Sequence, residues 1–214
     1  MKRKYLIYTI LIFCIGCGPY IWFKVPQPEG IENLEFFPDN IKGEYISLAD
    51  TSTIRIESDE IIQEYRENLI MTKIEFSEET GDSISSDTSF MFADKWDVKV
   101  MSIGDSVYVY SKKDEQLFKI SDQNILRQYK GYYFLNYKDS TYWKVKILRL
   151  CRDTLEFDYI LTDNDIVNIL SVTKVESVKD TTEDVTKYYL KPSKRQLKKI
   201  LKRRSHGEKF VKID

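Results

Sequence analysis

A chain of 214 residues with 15 Tyr, 11 Phe and 3 Trp against only 8 Gly and 5 Pro can bury a sizeable core without disulfides or metal, and is too aromatic and too nearly neutral to be disordered. The formal charge of −1 hides a polarity: Met1–Lys4 carries +3, residues 5–190 carry −12 and residues 191–214 carry +8. An acidic body argues against nucleic acid as a partner, and Cys151, alone beyond the first twenty residues, leaves no partner for an internal disulfide.

The chain opens with a cationic stretch, Met1-Lys2-Arg3-Lys4, followed by twelve uncharged, mainly apolar residues from Tyr5 to Gly16, then Cys17, Gly18 and Pro19. Charge, then grease, then small residues is the order of a secretory signal. Ile15-Gly16-Cys17 resembles a bacterial lipobox, in which a small residue precedes the cysteine that becomes the acylated N-terminus. The resemblance implies lipid attachment at Cys17, and with it several acyl chains of the palmitate class. Cys14 is the poorer acceptor, because bulky Phe13 stands where the small residue belongs. A spanning anchor is the first alternative, since Tyr5–Phe23 is 19 uncharged residues and reaches the length of a membrane helix; a plain cleaved signal is the second. Cys14-Ile15-Gly16-Cys17 also spells C-x-x-C, but it lacks the βαβ context of a redox motif and the second pair of a zinc site.

Val25-Pro26-Gln27-Pro28-Glu29-Gly30 reads as an extended linker. The folded body then opens at Phe36-Phe37-Pro38, with a strand at Gly43–Ser47 and a hairpin of Thr53–Ile56 against Ile61–Gln63. Residues 77–89 read as a polar loop. Strands follow at Val98–Ile103 and Val107–Tyr110, and the second of these pairs with Leu117–Ile120 across a turn at Lys112–Glu115. Tyr129–Leu135, Trp143–Ile147 and Leu155–Phe157-Tyr159 continue the alternation. Leu148 and Leu150 change face, as on a bulged strand or one buried on both sides. Cys151 ends this apolar run, which predicts a buried thiol. Asp163-Asn164-Asp165 caps a short helix over Ile166–Leu170. Val185–Leu190 is a strand, Arg195–Arg204 a basic helix stopped by Gly207, and Phe210–Ile213 a closing edge strand.

Lys42-Gly43-Glu44-Tyr45 and Lys130-Gly131-Tyr132-Tyr133 share the pattern K-G-x-Y. Each precedes a turn, Asp50-Thr51-Ser52 or Asp139-Ser140-Thr141, and then an alternating strand. Two copies point to similar β-halves, 32–121 and 122–214, and not to a solenoid.

The sequence is poor in catalytic signals. His206 is the single histidine and has no neighbouring nucleophile. The calcium-loop start at Asp163-Asn164-Asp165 lacks the glycine at its sixth position, where Asn168 stands, and the glutamate at its twelfth, where Lys174 stands. No phosphate-cradling glycine loop and no H-E-x-x-H is present, so neither cofactor nor metal is expected. The basic helix places Leu197, Ile200 and Leu201 on one face. Lys194, Arg195, Lys198, Lys199, Lys202, Arg203 and Arg204 cover the remainder, either as a solvated face or as a contact for anionic headgroups.

Several stretches resemble a group of uncharacterised lipoproteins of Bacteroidetes-type bacteria: Phe37-Pro38 with Ile41-Lys42-Gly43-Glu44-Tyr45, Lys130–Asn136 with Trp143-Lys144-Val145-Lys146, the helix start Pro192–Gln196, and Phe210-Val211-Lys212. The resemblance implies a surface or periplasmic lipoprotein and brings no activity with it. The G-x-Y strand openings are also similar to the G-x-W openings of lipocalin-like barrels.

The expectation is a mainly β protein of antiparallel sheets, either two similar halves or lipocalin-like, with two short C-terminal helices. Its organisation is a signal peptide at 1–16, a lipid anchor and linker at 17–31 and a globular domain at 32–214. The expected role is a membrane-tethered module of the cell envelope that binds an unidentified protein or apolar ligand, or is structural. An envelope hydrolase with a carboxylate site is the reading from another class, and converging carboxylates with perturbed pKa values would distinguish it.

Overall fold

The computed structural model describes residues 21–81, 88–91, 95–161, 165–180, 185–203 and 207–213. In chain order its elements are β1 (Ile21–Phe23), β2 (Gly43–Ser47), β3 (Thr53–Ile56), β4 (Glu60–Thr72), α1 (Lys73–Thr80), β5 (Thr88–Met91), β6 (Asp97–Ile103), β7 (Ser106–Lys119), β8 (Asn124–Tyr129), β9 (Tyr132–Asp139), β10 (Tyr142–Cys151), β11 (Thr154–Tyr159), α2 (Ile166–Leu170), β12 (Val175–Asp180), β13 (Val185–Leu190), α3 (Lys194–Arg203) and β14 (Glu208–Ile213). The protein is mainly β, with the two expected helices in its last quarter.

The strands form one sheet, and its central run follows the order β8-β9-β10-β11-β14-β2-β3-β4-β7. Every neighbouring pair in that run is antiparallel. The runs β8-β9-β10-β11 and β2-β3-β4 are meanders, as short hairpin connections favour, while β14 and β7 join the order by longer connections. Its two outer strands, β7 and β8, are consecutive in the chain, and both send side chains into one core cluster, Phe118 from β7 and Leu126 from β8. The Ile120 amide donates to the Asp59 carbonyl at 2.8 Å and the Phe37 amide to the Ser58 carbonyl at 2.7 Å, while Leu34 bridges Leu126. Phe118 on β7 meets Tyr137 on β9 edge-on, with ring centroids 5.2 Å apart. The sheet therefore curls into an incomplete barrel whose two margins share one core.

That core holds Phe37, Tyr45, Ile54, Ile61, Phe118, Leu126, Leu135, Leu148, Leu155 and Phe210, all at 1% exposure or less. It draws on both proposed halves of the sequence, so the halves are not separate bodies. The K-G-x-Y pattern marks two hairpins, β2–β3 and β9–β10, whose turns carry Thr51 and Ser140 at φ 64° and 57°. Phe210–Ile213 is no edge strand. It lies inside β14, between β11 and β2, and joins the two runs of the meander.

β10 is buried on both faces, as the switch at Leu148 suggested. Leu148 enters the barrel core, and Val145 and Ile147 enter a second cluster with Ile21, Phe23, Phe134, Ile160, Ile169, Leu190, Leu197, Ile200 and Leu201. This second cluster is a wing in which β1 lies parallel to β13 and touches β10 at Phe23–Trp143, under cover of α2 and α3.

The segment from 25 to 30 is not a linker. Gln27 is fully buried. Asn136 acts on it as a strand neighbour would, accepting from the Gln27 amide at 2.6 Å and donating to its carbonyl at 2.8 Å. The Arg127 guanidinium donates to the Pro26 and Pro28 carbonyls at 2.7 and 2.8 Å. Two prolines set an extended backbone with few donors of its own, and the side chains of β8 and β9 supply the missing partners.

At the far end, β4 and β7 run on past the barrel as a long ribbon joined by β6 and β5, with α1 packed on one side. Lys112–Glu115 is therefore no turn. It lies within a continuous strand paired to β4, where Lys112 forms an ion pair with Glu64 at 2.6 Å. Residues 77–80, expected as loop, complete α1, which has a Thr72–Glu75 capping box and ends at Gly81 with φ 79°.

Candidate functional site: an aromatic and cationic rim

On β10, period-two alternation sends Tyr142, Lys144 and Lys146 to one face while Trp143, Val145 and Ile147 go to the other. Lys146 sits deepest. Its ammonium lies 5.1 Å from the Phe157 ring centre and 4.9 Å from that of Tyr159 on β11. Burial pushes its pKa below the ordinary lysine value, against the opposing pull of Glu115 and Asp158. Nearby Tyr137 donates its hydroxyl to the Leu117 carbonyl at 2.8 Å, and burial drives its ionisation above the ordinary tyrosine range.

Further out on the same face, Lys144 meets β1. Its ammonium lies 3.2 Å from Asp139 Oδ2 and 5.3 Å from the Trp22 ring centre. The Trp22 indole N–H donates to the same Asp139 oxygen at 2.9 Å. Lys187 of β13 approaches the indole at 6.0 Å, Tyr189 stacks on it at 5.9 Å, and Tyr142 lies 4.5 Å from Tyr189. The Trp22 hydrogen bond, followed by the Lys144 hydrogen bond and charge, holds Asp139 below the usual carboxylate range. The result is a half-exposed rim of three aromatic rings and two ammonium groups around one carboxylate.

The basic helix lies elsewhere. Ile21 and Phe23 share a cluster with Leu197, Ile200 and Leu201, so α3 packs on the face of β1 opposite Trp22. Lys194 donates to the Gly30 carbonyl at 3.2 Å and Arg203 to Ser171 Oγ at 3.0 Å, while Arg195, Lys198, Lys199 and Lys202 are exposed. Arg204 lies outside the described residues, as do Cys17, His206, Asp163 and Asn164. Asp165 stands at the start of α2, but its side chain makes no cap hydrogen bond. Cys151 is exposed and not buried. It closes β10 opposite Thr154 at the hairpin turn, beyond both clusters.

Carboxylates gather at one place, where Glu208 accepts from Ser47 Oγ at 2.9 Å. Burial raises the Glu208 pKa, the Ser47 bond opposes this, and Asp50 and Asp158 add to it. Asp50 moves the other way, held low by Ser52. Glu208 is nevertheless exposed, and the arrangement carries no catalytic assignment. Among the described residues no group of three or more His, Cys, Asp or Glu side chains is placed to hold a metal ion.

The rim is not legible in the sequence, because Trp22 falls in the segment 17–31 that reads as anchor and linker and its partners Asp139, Tyr142, Lys144, Lys187 and Tyr189 come from three distant strands. The alternation Tyr142-x-Lys144-x-Lys146 was the available signal. No family model, curated protein or solved structure matches this chain. Among the described residues no helix is long and apolar enough to cross a membrane.

Proposed function

We propose that the chain is a lipoprotein of the bacterial cell envelope, tethered through Cys17 and facing the periplasm or the cell surface, where it serves as a binding or structural module. The observation that carries this reading is how early in the chain a described core strand stands. Ile21 and Phe23 are core residues at 4% and 1% exposure, so three residues, Gly18, Pro19 and Tyr20, stand between Cys17 and the first strand among the described residues. With Ile21–Phe23 committed to the sheet, the uncharged stretch left for a spanning helix is Tyr5–Tyr20. Those 16 residues fall short of the roughly 20 that cross a hydrocarbon core. The resemblance to envelope lipoproteins and the charge order of the leader support the same reading. The rim around Trp22, beside that strand, is the surface best placed to engage a partner.

Mass spectrometry of the protein extracted from membranes tests the tether. The expected result is an N-terminus at Cys17 carrying acyl mass, with Cys17→Ser losing that mass and leaving the membrane fraction. An intact Met1 on membrane-bound protein would return the spanning reading, and an unacylated N-terminus within 17–20 the plain cleaved signal.

A further inference from the structure

We infer that Lys146, with the rings of Phe157, Tyr159 and Tyr137 around it, is a binding site for a small organic acid: a single carboxylate on a short apolar body. This gives the binding module proposed above a ligand class, and it does not depend on the tether at Cys17.

The strands set the position. β10 enters the barrel core at Leu148, and alternation places Lys146 on the same face, two residues further out. Its neighbours across the sheet are Tyr159 on β11 and Leu135 on β9, and Tyr137 lies opposite Lys144 one step beyond. Lys146 therefore stands where the apolar filling of the barrel stops.

An ammonium has three hydrogens to donate. Among the described residues those of Lys146 meet no hydrogen-bond acceptor, and no carboxylate oxygen comes within 4.0 Å; its contacts are the Phe157 and Tyr159 rings, centred 5.1 and 4.9 Å away. Two acids act on it from a distance. Glu115 is exposed, and Asp158 accepts the Tyr159 amide at 2.6 Å. Burial outweighs both and holds the Lys146 pKa below its ordinary value. The Tyr159 hydroxyl beside it also makes no hydrogen bond among the described residues. Half-buried donors left without an acceptor are uncommon in a folded chain. The rim lysines differ, since Lys144 is paired to Asp139 at 3.2 Å and Lys187 acts on the same carboxylate.

A carboxylate suits these donors, because its two oxygens accept from Lys146 and Tyr159 together. One negative charge matches one ammonium. A phosphate dianion would bring a surplus to a neighbourhood that already holds Glu115, Asp158 and, opposite Phe157 on β14, Glu208. The three rings supply apolar walls. Beneath them Leu135, Leu148 and Phe210 are each at 0% exposure, so a long acyl chain has no channel inward and the ligand is short.

The test titrates the purified full-length chain with phenylacetate, with its uncharged isostere phenylacetamide and with dodecanoate, by calorimetry and by NMR of the Phe157 and Tyr159 ring signals. Phenylacetate should bind and shift both rings, and phenylacetamide should bind about tenfold more weakly or worse, the scale of one charge-assisted hydrogen bond. Lys146→Met should lose phenylacetate by a similar factor and keep its unfolding midpoint, because it removes a charge that has no partner to lose. Tyr159→Phe should weaken binding about threefold. Dodecanoate should gain nothing from its length. Equal affinity for phenylacetate and phenylacetamide, unmoved rings, or phenylacetate retained by Lys146→Met overturns the site, and the first two are read on the unaltered chain whether or not the variant folds. Dodecanoate binding far more tightly than phenylacetate shows a channel through the core and overturns the short ligand. None of these outcomes bears on the tether, which acyl mass at Cys17 decides separately.

Discussion

β4 and β7 pass through two very different environments. In their barrel halves Ile61 and Phe118 are buried at 0% and 1% within a cluster that gathers residues from nine strands. In their outer halves the buried cluster among the described residues is Phe76, Val98, Val100 and Val107, with Met71, Trp96 and Val109 partly buried against it, while Leu69, Ile70, Ile74 and Ile103 are each more than half exposed. Backbone pairing runs from Glu60–Lys119 to Thr72–Ser106, broken by a single register shift between Ile61 and Ile62 inside the barrel half. Hydrogen-bonded ladders therefore do not distinguish the two halves, and buried apolar area does. The barrel should open only with the whole molecule, and the ribbon should open by itself.

The largest expected effect is in the barrel. Phe118→Ala removes a ring packed against both Phe37 and Tyr137 and should cost about 3–5 kcal/mol of global stability, read from the midpoint of denaturant unfolding. Asn136→Ala comes next. It strands the Gln27 amide and carbonyl without their partners, at roughly 2–3 kcal/mol, and hydrogen exchange at the Gln27 amide should rise more than the average. Phe76→Ala sharpens the comparison. It should lower exchange protection in the ribbon by about 2 kcal/mol and leave the barrel amides and the global midpoint nearly unchanged, whereas a midpoint shift as large as that of Phe118→Ala would make ribbon and barrel one unit.

The smallest effect falls at the junction. Burial raises the Glu64 pKa, but hydrogen bonds and charge from Lys112 and Arg66 outweigh it and leave the carboxyl below its ordinary value. A depressed folded value means stability present at neutral pH and lost as pH falls below the ordinary glutamate range. Glu64→Gln should flatten that acid limb of the stability profile, and an unchanged limb would show that the pair contributes nothing at the hinge.

Much of this architecture was legible. Alternation located most strands, Leu148 announced a strand with two buried faces, and the i, i+3, i+4 spacing of Leu197, Ile200 and Leu201 oriented α3. Three features were lost for physical reasons. The outer half of β4 was invisible because a ribbon exposed on both faces has no apolar alternation to read. α1 carried its capping signature, Thr72-x-x-Glu75 and then Gly81, but only Phe76 on it is buried, so it lacks a helical stripe. The linker reading failed because Pro26 and Pro28 specify an extended backbone equally well whether it is free or docked. The partner that decides the matter, Asn136, is more than a hundred positions away. The rim was hidden in the same way, since its rings and cations meet only after β1 and β13 pair.

The lateral bond between β1 and β13 also sets an order of events. Ile21 finds Tyr188 only after the more than 160 residues between them have been made, so β1 locks late although it is made early. Once β1 is stitched between β13 and β10, a pull on the chain ahead of Ile21 loads it along its own axis, in shear against both neighbours, and does not peel it away one bond at a time.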